Sequence, residues 1–194
     1  MKRKPILKTA LFTLLLSLAF VSTVSASPTA QSNKVDVTIQ SGEFSLSAPE
    51  ISEEFGSVVL GADIQILNAS FGLPFTVKDL RGTQEGWRLD VQAAPLSNEK
   101  HTLPASSLTI EPVANIERVG SGSGTMPTSS QTAATPIDAG SAVGLVSAPK
   151  GGGMGVFEIT LPADALAVTI DATTARTDGG VYTTTLNWSL VQAP

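Results

Sequence analysis

Short segments in which apolar and polar residues alternate, separated by Gly, Pro, Asn and Asp, most restrict the fold of this 194-residue chain. Alternation with a period of two is typical of half-buried strands, and no segment of more than about ten residues shows the 3.6-residue period of a helix. Residues 52–55 and 162–166 are each compatible with a single helical turn. Strands are predicted at residues 35–40, 44–47, 57–60, 64–67, 75–79, 87–92, 107–111, 156–161, 165–171 and 181–191. Many short strands predict an all-β, single-domain β-sandwich or barrel-like antiparallel sheets.

One segment between the predicted strands is of low complexity. Residues 119–136 are rich in Gly, Ser and Thr and have no apolar periodicity. Such a composition is typical of a flexible linker or a long surface loop. We expect a long loop within one domain, because the chain on either side holds only part of the strand set; a domain linker is the alternative.

The N-terminal residues resemble a secretory signal peptide. Lys2, Arg3, Lys4 and Lys8 precede an apolar run and a Val-Ser-Ala stretch that ends at Ala26, which is the expected cleavage site. A retained N-terminal anchor is the alternative. The predicted organisation is therefore a signal peptide at 1–26, a flexible lead at 27–34 and a domain at 35–194. The chain has no cysteine for lipidation and no sortase-type C-terminal signal, so we expect non-covalent retention at the cell surface and no membrane span after cleavage.

Charge excludes some partners. Cleavage would leave eight basic against 17 acidic residues and a net charge of about −9. Nucleic-acid binding is not expected, because phosphate recognition needs Lys and Arg. Simple electrostatic adhesion to anionic lipid or teichoic acid is disfavoured for the same reason.

Residues suited to catalysis are few. His101 is the single histidine, so a His-dependent triad would have to include it; an exposed loop histidine is the plainer interpretation. Asp171 and Asp178 lie in a loop that is compatible with calcium, but their spacing fits no EF-hand. Glu53 and Glu54 are adjacent and are expected to be solvated. We predict no enzyme activity, no cofactor and no metal site.

The two tryptophans share a local pattern, Trp-x-Leu. Alternation places Trp87, Leu89 and Val91 on one strand face, and likewise Trp188 and Leu190 in the last strand. One hypothesis is that both indoles are core residues. The other is that they lie together at one sheet edge and stack on a ligand, as aromatic rings do on sugars.

These tripeptides and their surroundings resemble the WxL domain of Gram-positive surface proteins. Residues 77–83 and 86–91, VKDLRGT and GWRLDV, are similar to its first signature, and residues 182–190 with Ala193-Pro194 are similar to its second. Residues 103–110 resemble the segment after the first signature. Four positions depart from the usual Thr, all on the strand faces opposite the tryptophans: Asp90, Gln92, Asn187 and Ser189.

The resemblance implies a secreted protein that associates non-covalently with the Gram-positive cell wall, with peptidoglycan or another wall polymer as partner. It implies peptidoglycan-binding candidates Trp87, Leu89, Trp188 and Leu190, and motif-supporting residues Asp79, Arg81, Gly82, Gly86 and Tyr182. An alternative is a structural subunit held on the surface by other WxL proteins and anchored proteins. A wall hydrolase is a third hypothesis, for which no acid–base pair can be named.

Overall fold

The computed structural model of the protein describes residues 34–192, which contain thirteen strands and no helix. Within that range no helix is therefore long and apolar enough to cross a membrane. The strands are β1 (Phe44–Ser47), β2 (Ile51–Glu53), β3 (Gln65–Phe71), β4 (Phe75–Asp79), β5 (Trp87–Ala93), β6 (Leu108–Ile110), β7 (Asn115–Val119), β8 (Thr128–Ser129), β9 (Thr135–Pro136), β10 (Val143–Ala148), β11 (Gly155–Thr160), β12 (Leu166–Ile170) and β13 (Leu186–Gln192).

All strand pairs are antiparallel, and they form three sheets. The first has the order β1-β4-β11-β7, the second β13-β5-β10-β8 and the third β2-β3-β12-β6-β9. The all-β prediction is confirmed. Because each sheet keeps two edge strands, none closes into a barrel, and the protein adopts the sandwich form of the prediction.

The core lies between the inward faces of the sheets. Strand β4 alternates between buried and more exposed residues along its whole length, and β5 and β11 do so except at the buried Asp90 and at the half-buried start of β11, as period-2 patterning predicts. Burying one such large side chain stabilises the fold by about 1.5–3 kcal/mol. The largest fully buried side chains are Trp87, Phe75, Phe157, Leu89, Leu108, Ile110, Ile137, Leu145, Ile159, Leu166, Val77 and Val91.

The first described residues form no strand, so the prediction at 35–40 is wrong. The chain divides into one unit that ends at Thr38 and another that begins at Ile39. In the first unit, Val35 and Val37 are exposed and Lys34 pairs with Asp36 at 3.0 Å. Apolar alternation selects a face, but a strand also needs a neighbour for its backbone N–H and C=O groups. Within the described residues this segment has no such neighbour. The predicted signal peptide lies outside the described residues.

Several other predicted strands and helical turns differ from the structure. Residues 57–60 form no strand, and the possible helical turn at 52–55 overlaps the strand Ile51–Glu53. Residues 162–166 hold a turn rather than helix and lead into β12. The strand at 181–191 begins only at Leu186. β7 and β10 were not predicted. In β10, Gly144 and Ser147 interrupt the apolar residues, and a register shift hides the alternation.

The Gly, Ser and Thr-rich segment 119–136 is tied to two sheets. Thr128–Ser129 pairs with β10, and Thr135–Pro136 pairs with β6. Pro127 within it is buried. The segment is thus a loop that contains two short strands, β8 and β9. Both pair with strands of the sheets, which its composition did not predict.

Candidate functional site

The two Trp-x-Leu tripeptides lie side by side in one sheet. β13 pairs with β5 so that Leu190 is opposite Leu89, Trp188 is opposite Val91 and Trp87 is opposite Gln192. The tripeptides therefore come together although about a hundred residues separate them in the chain. Because the strands run in opposite directions, the two tryptophan positions are about four residues apart along the sheet, or roughly 13 Å. They form no shared aromatic platform at one edge.

Trp87 is fully buried. Its indole Nε1–H donates a hydrogen bond of 2.8 Å to the backbone oxygen of Gly153. Its ring centroid lies 6.0 Å from that of Phe157. The side chain thus fixes the glycine-rich turn before β11 from inside the molecule, and its ring has no surface open to a ligand in this structure.

Trp188 is half-buried and belongs to an aromatic cluster. Its ring meets Phe75 edge-on at 4.6 Å and Phe71 at 5.8 Å between centroids. Leu190 is half-buried on the same face, and Leu89 is fully buried opposite it. All four candidate residues therefore point into the molecule, as the core hypothesis expects. Direct contact with peptidoglycan stays a prediction.

Asp79 and Arg81 form a clamp at the end of β4. Arg81 donates from Nε and Nη2 to the two carboxylate oxygens of Asp79 at 2.9 Å each, and from Nη2 to the Gly86 oxygen at 3.2 Å. Its Nη1–H reaches Gln192 at 3.1 Å, and its guanidinium lies 3.7 Å from the Phe44 ring centroid. Hydrogen bonding to Asp79 raises the pKa of Arg81. One side chain therefore joins the ends of β4 and β13, the turn before β5, and β1.

Gly82 and Gly86 both have φ in the left-handed region, at 76° and 78°. Any side chain at Gly86 would meet the backbone of Ala148 and Pro149, whereas the space around Gly82 is open. Gly86 is thus required twice, for its conformation and for close approach of β10's end to the start of β5.

Tyr182 lies apart from this clamp. Its hydroxyl accepts a hydrogen bond from the Arg176 backbone N–H at 3.2 Å. The ring lines an apolar cavity of about 340 Å³ with Phe55, Leu103 and Ile170. Tyr182 therefore orders the loop that precedes β13, and the structure does not bring it to the paired tripeptides.

The outward face of β5 and β13 is polar. Asn187 is opposite Gln92 and Ser189 is opposite Asp90. Arg88 holds Asp90 by hydrogen bonds of 2.6 and 2.8 Å, which raise the pKa of Arg88. Asp90 is nevertheless buried. The alternation correctly predicted its strand face but not its burial. The four departures from Thr all lie on this outward face.

His101 and Asp178 are neighbours in the structure. His101 Nε2 lies 2.8 Å from Asp178 Oδ1, and since an ionised carboxylate only accepts, the ring nitrogen is the donor. This contact lowers the pKa of the Asp178 carboxyl. Asp171 Oδ1 accepts hydrogen bonds from the backbone N–H and the hydroxyl of Thr173, at 2.8 and 2.7 Å. Within residues 34–192 no three His, Asp or Glu side chains gather as metal ligands.

Arg118 was missed from the sequence. It lies in β7 and lines an open cavity of about 640 Å³ together with Arg81, Gly122 and Gly155. Ile116 and Arg118 share the more buried face of β7, but the sequence Asn-Ile-Glu-Arg-Val is too short and too polar to stand out as a strand beside a low-complexity loop. Its cavity adjoins the clamp of Asp79 and Arg81.

Comparison with known proteins gives one result. A family model described as "WxL domain surface cell wall-binding" matches residues 28–194. Searches of curated proteins and of solved structures each gave no significant match. The match includes both tripeptides, which the structure places on adjacent strands. The chain therefore belongs to the WxL family, whose domains bind the cell wall at the cell surface.

Proposed function

We propose that this protein is exported by its N-terminal signal and attaches non-covalently to peptidoglycan. The observation that carries the proposal is the pairing of the two tripeptides in a single sheet, in a chain that matches a cell wall-binding family from residue 28 to residue 194. The pairing explains why two distant signatures belong to one function. They build one scaffold.

The tryptophans and leucines of the two tripeptides support the binding surface from the core side of the sheet. Trp87, Leu89, Trp188 and Leu190 face the core and set the position of β5 and β13. The outward face, with Asn187 opposite Gln92 and Ser189 exposed beside them, supplies hydrogen-bonding groups to the glycan or stem peptide. Neutral polar groups suit an acidic protein that must approach an anionic polymer, because they add no charge repulsion.

The test is co-sedimentation of the mature chain with purified peptidoglycan from which proteins and teichoic acids have been removed. We expect the protein in the pellet at physiological salt. Recovery in the supernatant would contradict peptidoglycan binding. Retention only on cells that carry other WxL or anchored proteins would instead indicate the structural-subunit alternative.

A pair of double variants tests the outward face. Asn187→Ala with Ser189→Ala removes polar groups from exposed positions of β13. Asn68→Ala with Thr169→Ala does the same at exposed positions of β3 and β12, and serves as the matched control. We expect weaker sedimentation for the first pair only, with the same melting temperature for both. Equal sedimentation would exclude the outward face as the contact surface.

A further inference from the structure

The cavity at Arg118 lies where β7, the turn after β4 and the segment before β11 meet. It has a volume of about 640 Å³ and is open to solvent, and this volume lies within the range of small-ligand sites in proteins. Two guanidinium groups line it, those of Arg81 and Arg118, along with the small polar residues Ser41 and Ser123. Asp79 also lines it, and its carboxylate pairs with Arg81, which leaves Arg118 as the cation without such a partner there. Its chemistry therefore differs from that of the apolar cavity beneath Tyr182.

The charge of Arg118 is not neutralised by a carboxylate within residues 34–192. The Lys and Arg side chains that form ion pairs there are Lys34, Lys78, Arg81, Arg88 and Lys100. Arg118, Lys150 and Arg176 form none with the described residues. Of these three, Lys150 and Arg176 are exposed and only Arg118 is half-buried. Arg118 is thus a partly desolvated positive charge on the wall of a cavity, in a strongly acidic protein.

Several contacts hold the Arg118 guanidinium in place. It donates to the Met154 oxygen at 2.5 Å and to the Gly124 oxygen at 3.2 Å, and it lies 4.7 Å from the Phe157 ring centroid. A Cβ atom at Gly155 would lie only 2.7 Å from Nη1, so glycine at this position makes room for the group. Two of the five N–H donors are used, and the other three remain for a ligand.

Trp87 contributes to this arrangement from inside. Its indole is bonded to the Gly153 oxygen, next to Met154, and it packs against Phe157, which lies under the guanidinium. The buried tryptophan of the first signature therefore positions both the backbone and the ring that hold Arg118. This connects the family signature to a surface that it does not itself form.

We propose that this cavity binds a carboxylate of the peptidoglycan stem peptide, with Arg118 as the group that pairs with it. The inference rests on the proposed peptidoglycan binding and names the wall component that is held. A planar guanidinium matches a carboxylate or a phosphate through two parallel hydrogen bonds. The carboxylate is favoured because the net charge of the mature chain opposes densely charged phosphate polymers, whereas a single local cation suits isolated carboxylates.

The experiment measures binding of the mature chain to peptidoglycan free of teichoic acid, and to soluble muropeptides released from it by a muramidase. Arg118→Gln is compared with Arg176→Gln, a matched control because Arg176 also bonds only to backbone oxygens within the described residues. Arg118→Lys keeps the charge without the planar fork. Muropeptides whose carboxylates have been amidated supply the corresponding ligand control.

We expect Arg118→Gln to bind about 10- to 100-fold more weakly, as loss of a hydrogen bond between charged groups implies. Arg118→Lys should bind with intermediate affinity, and Arg176→Gln should bind as tightly as the parent chain. The parent chain should bind the amidated muropeptides only weakly. A melting temperature close to that of the parent would show that the variants are folded. If Arg118→Gln loses stability, the amidated ligand still decides the question with the parent chain.

Other outcomes overturn the inference in distinguishable ways. Equal binding of Arg118→Gln, or full binding of amidated muropeptides, refutes the carboxylate site but leaves peptidoglycan binding in place. Walls that keep their teichoic acid are measured alongside; binding to these walls alone refutes both proposals and points to a phosphate ligand. No binding of the parent chain to any peptidoglycan sample refutes both proposals.

Discussion

Leu89 and Leu190, the last residues of the two Trp-x-Leu tripeptides, lie directly opposite one another on the paired strands β5 and β13. This register sets the orientation of both motifs, because a shift of one residue would turn every side chain of β13 to the other face. Trp188 would then leave Phe71 and Phe75 and point outward. The tripeptides are therefore best understood as a matched pair that defines how the last strand joins the sheet.

Replacement of Trp87 should affect stability most. Trp87→Ala removes a fully buried indole and should lower the free energy of unfolding by about 3–5 kcal/mol. Trp87→Phe keeps most of the apolar volume but leaves the Gly153 oxygen without its donor, at a cost of about 1–3 kcal/mol. Urea unfolding measures both. Val59→Ala, at a residue that is 88% exposed, is the control and should change little; a similarly small effect at Trp87 would contradict its placement.

The two indoles should be distinguishable by fluorescence. Trp188→Phe leaves the buried Trp87 as the single indole, so emission should be shifted to the blue and acrylamide should quench it weakly. Trp87→Phe leaves the half-buried Trp188, whose emission should lie further to the red and be quenched more readily. The comparison is made on native protein and again in urea, where the difference should vanish. Equal quenching of the two folded variants would show that the indoles do not differ in burial.

The clamp of Asp79 and Arg81 gives a prediction about buried charge. Asp79 is 1% exposed, so Arg81→Met would leave its carboxylate unpaired and should cost about 3–5 kcal/mol in the free energy of unfolding. Adding Asp79→Asn removes the buried charge and should recover part of this loss. Denaturant unfolding of both single variants and the double variant gives the coupling. Strict additivity would mean that the pair does not interact.

Gly82 and Gly86 should respond differently to alanine. Both have positive φ, which costs an L-residue roughly 1–2 kcal/mol, so Gly82→Ala should lose about that amount. Gly86→Ala should lose considerably more, because its Cβ would also meet the backbone of Ala148 and Pro149. Thermal unfolding of the two variants provides the comparison. Equal losses would indicate that only backbone conformation matters at Gly86.

Acid stability should depend on Asp178. The hydrogen bond from His101 holds the pKa of Asp178 below its ordinary value. A carboxyl with a lowered folded-state pKa stabilises the fold above its unfolded pKa of about 3.9, and this contribution is lost as the pH falls through the lowered value. Asp178→Asn removes the titrating group, so its stability should fall less steeply than that of the parent between about pH 4 and pH 2.

Glu43 and Asp171 also have lowered pKa values, but both remain in Asp178→Asn. The difference between the two pH profiles therefore isolates Asp178. Unfolding by urea at a series of pH values gives these profiles. Parallel profiles would contradict a role of the His101 contact in stability.

Several strands could be predicted because their alternation is bounded by turn residues. The bounds of β1 and β4 agree with the prediction, and those of β5, β11 and β12 agree within a residue at each end. β7 and β10 could not be found, since each borders a glycine-rich segment and owes its strand conformation to its partner. Residues 35–40 show the converse case, with clear alternation but no partner strand among the described residues.

The sequence by itself determined the all-β class, the single strand face shared by Trp and Leu in each tripeptide, and the resemblance to the family, because side-chain alternation and motif order are local properties. It left open whether the two indoles point into the core, which the packing of the sheets decided. The tertiary structure decided that the tripeptides pair through Leu89 and Leu190, that Asp90 is covered, and that Arg81 and Arg118 meet at one cavity. Those relationships depend on strand pairing between residues distant in the chain, where register is set by packing and backbone hydrogen bonds rather than by local pattern.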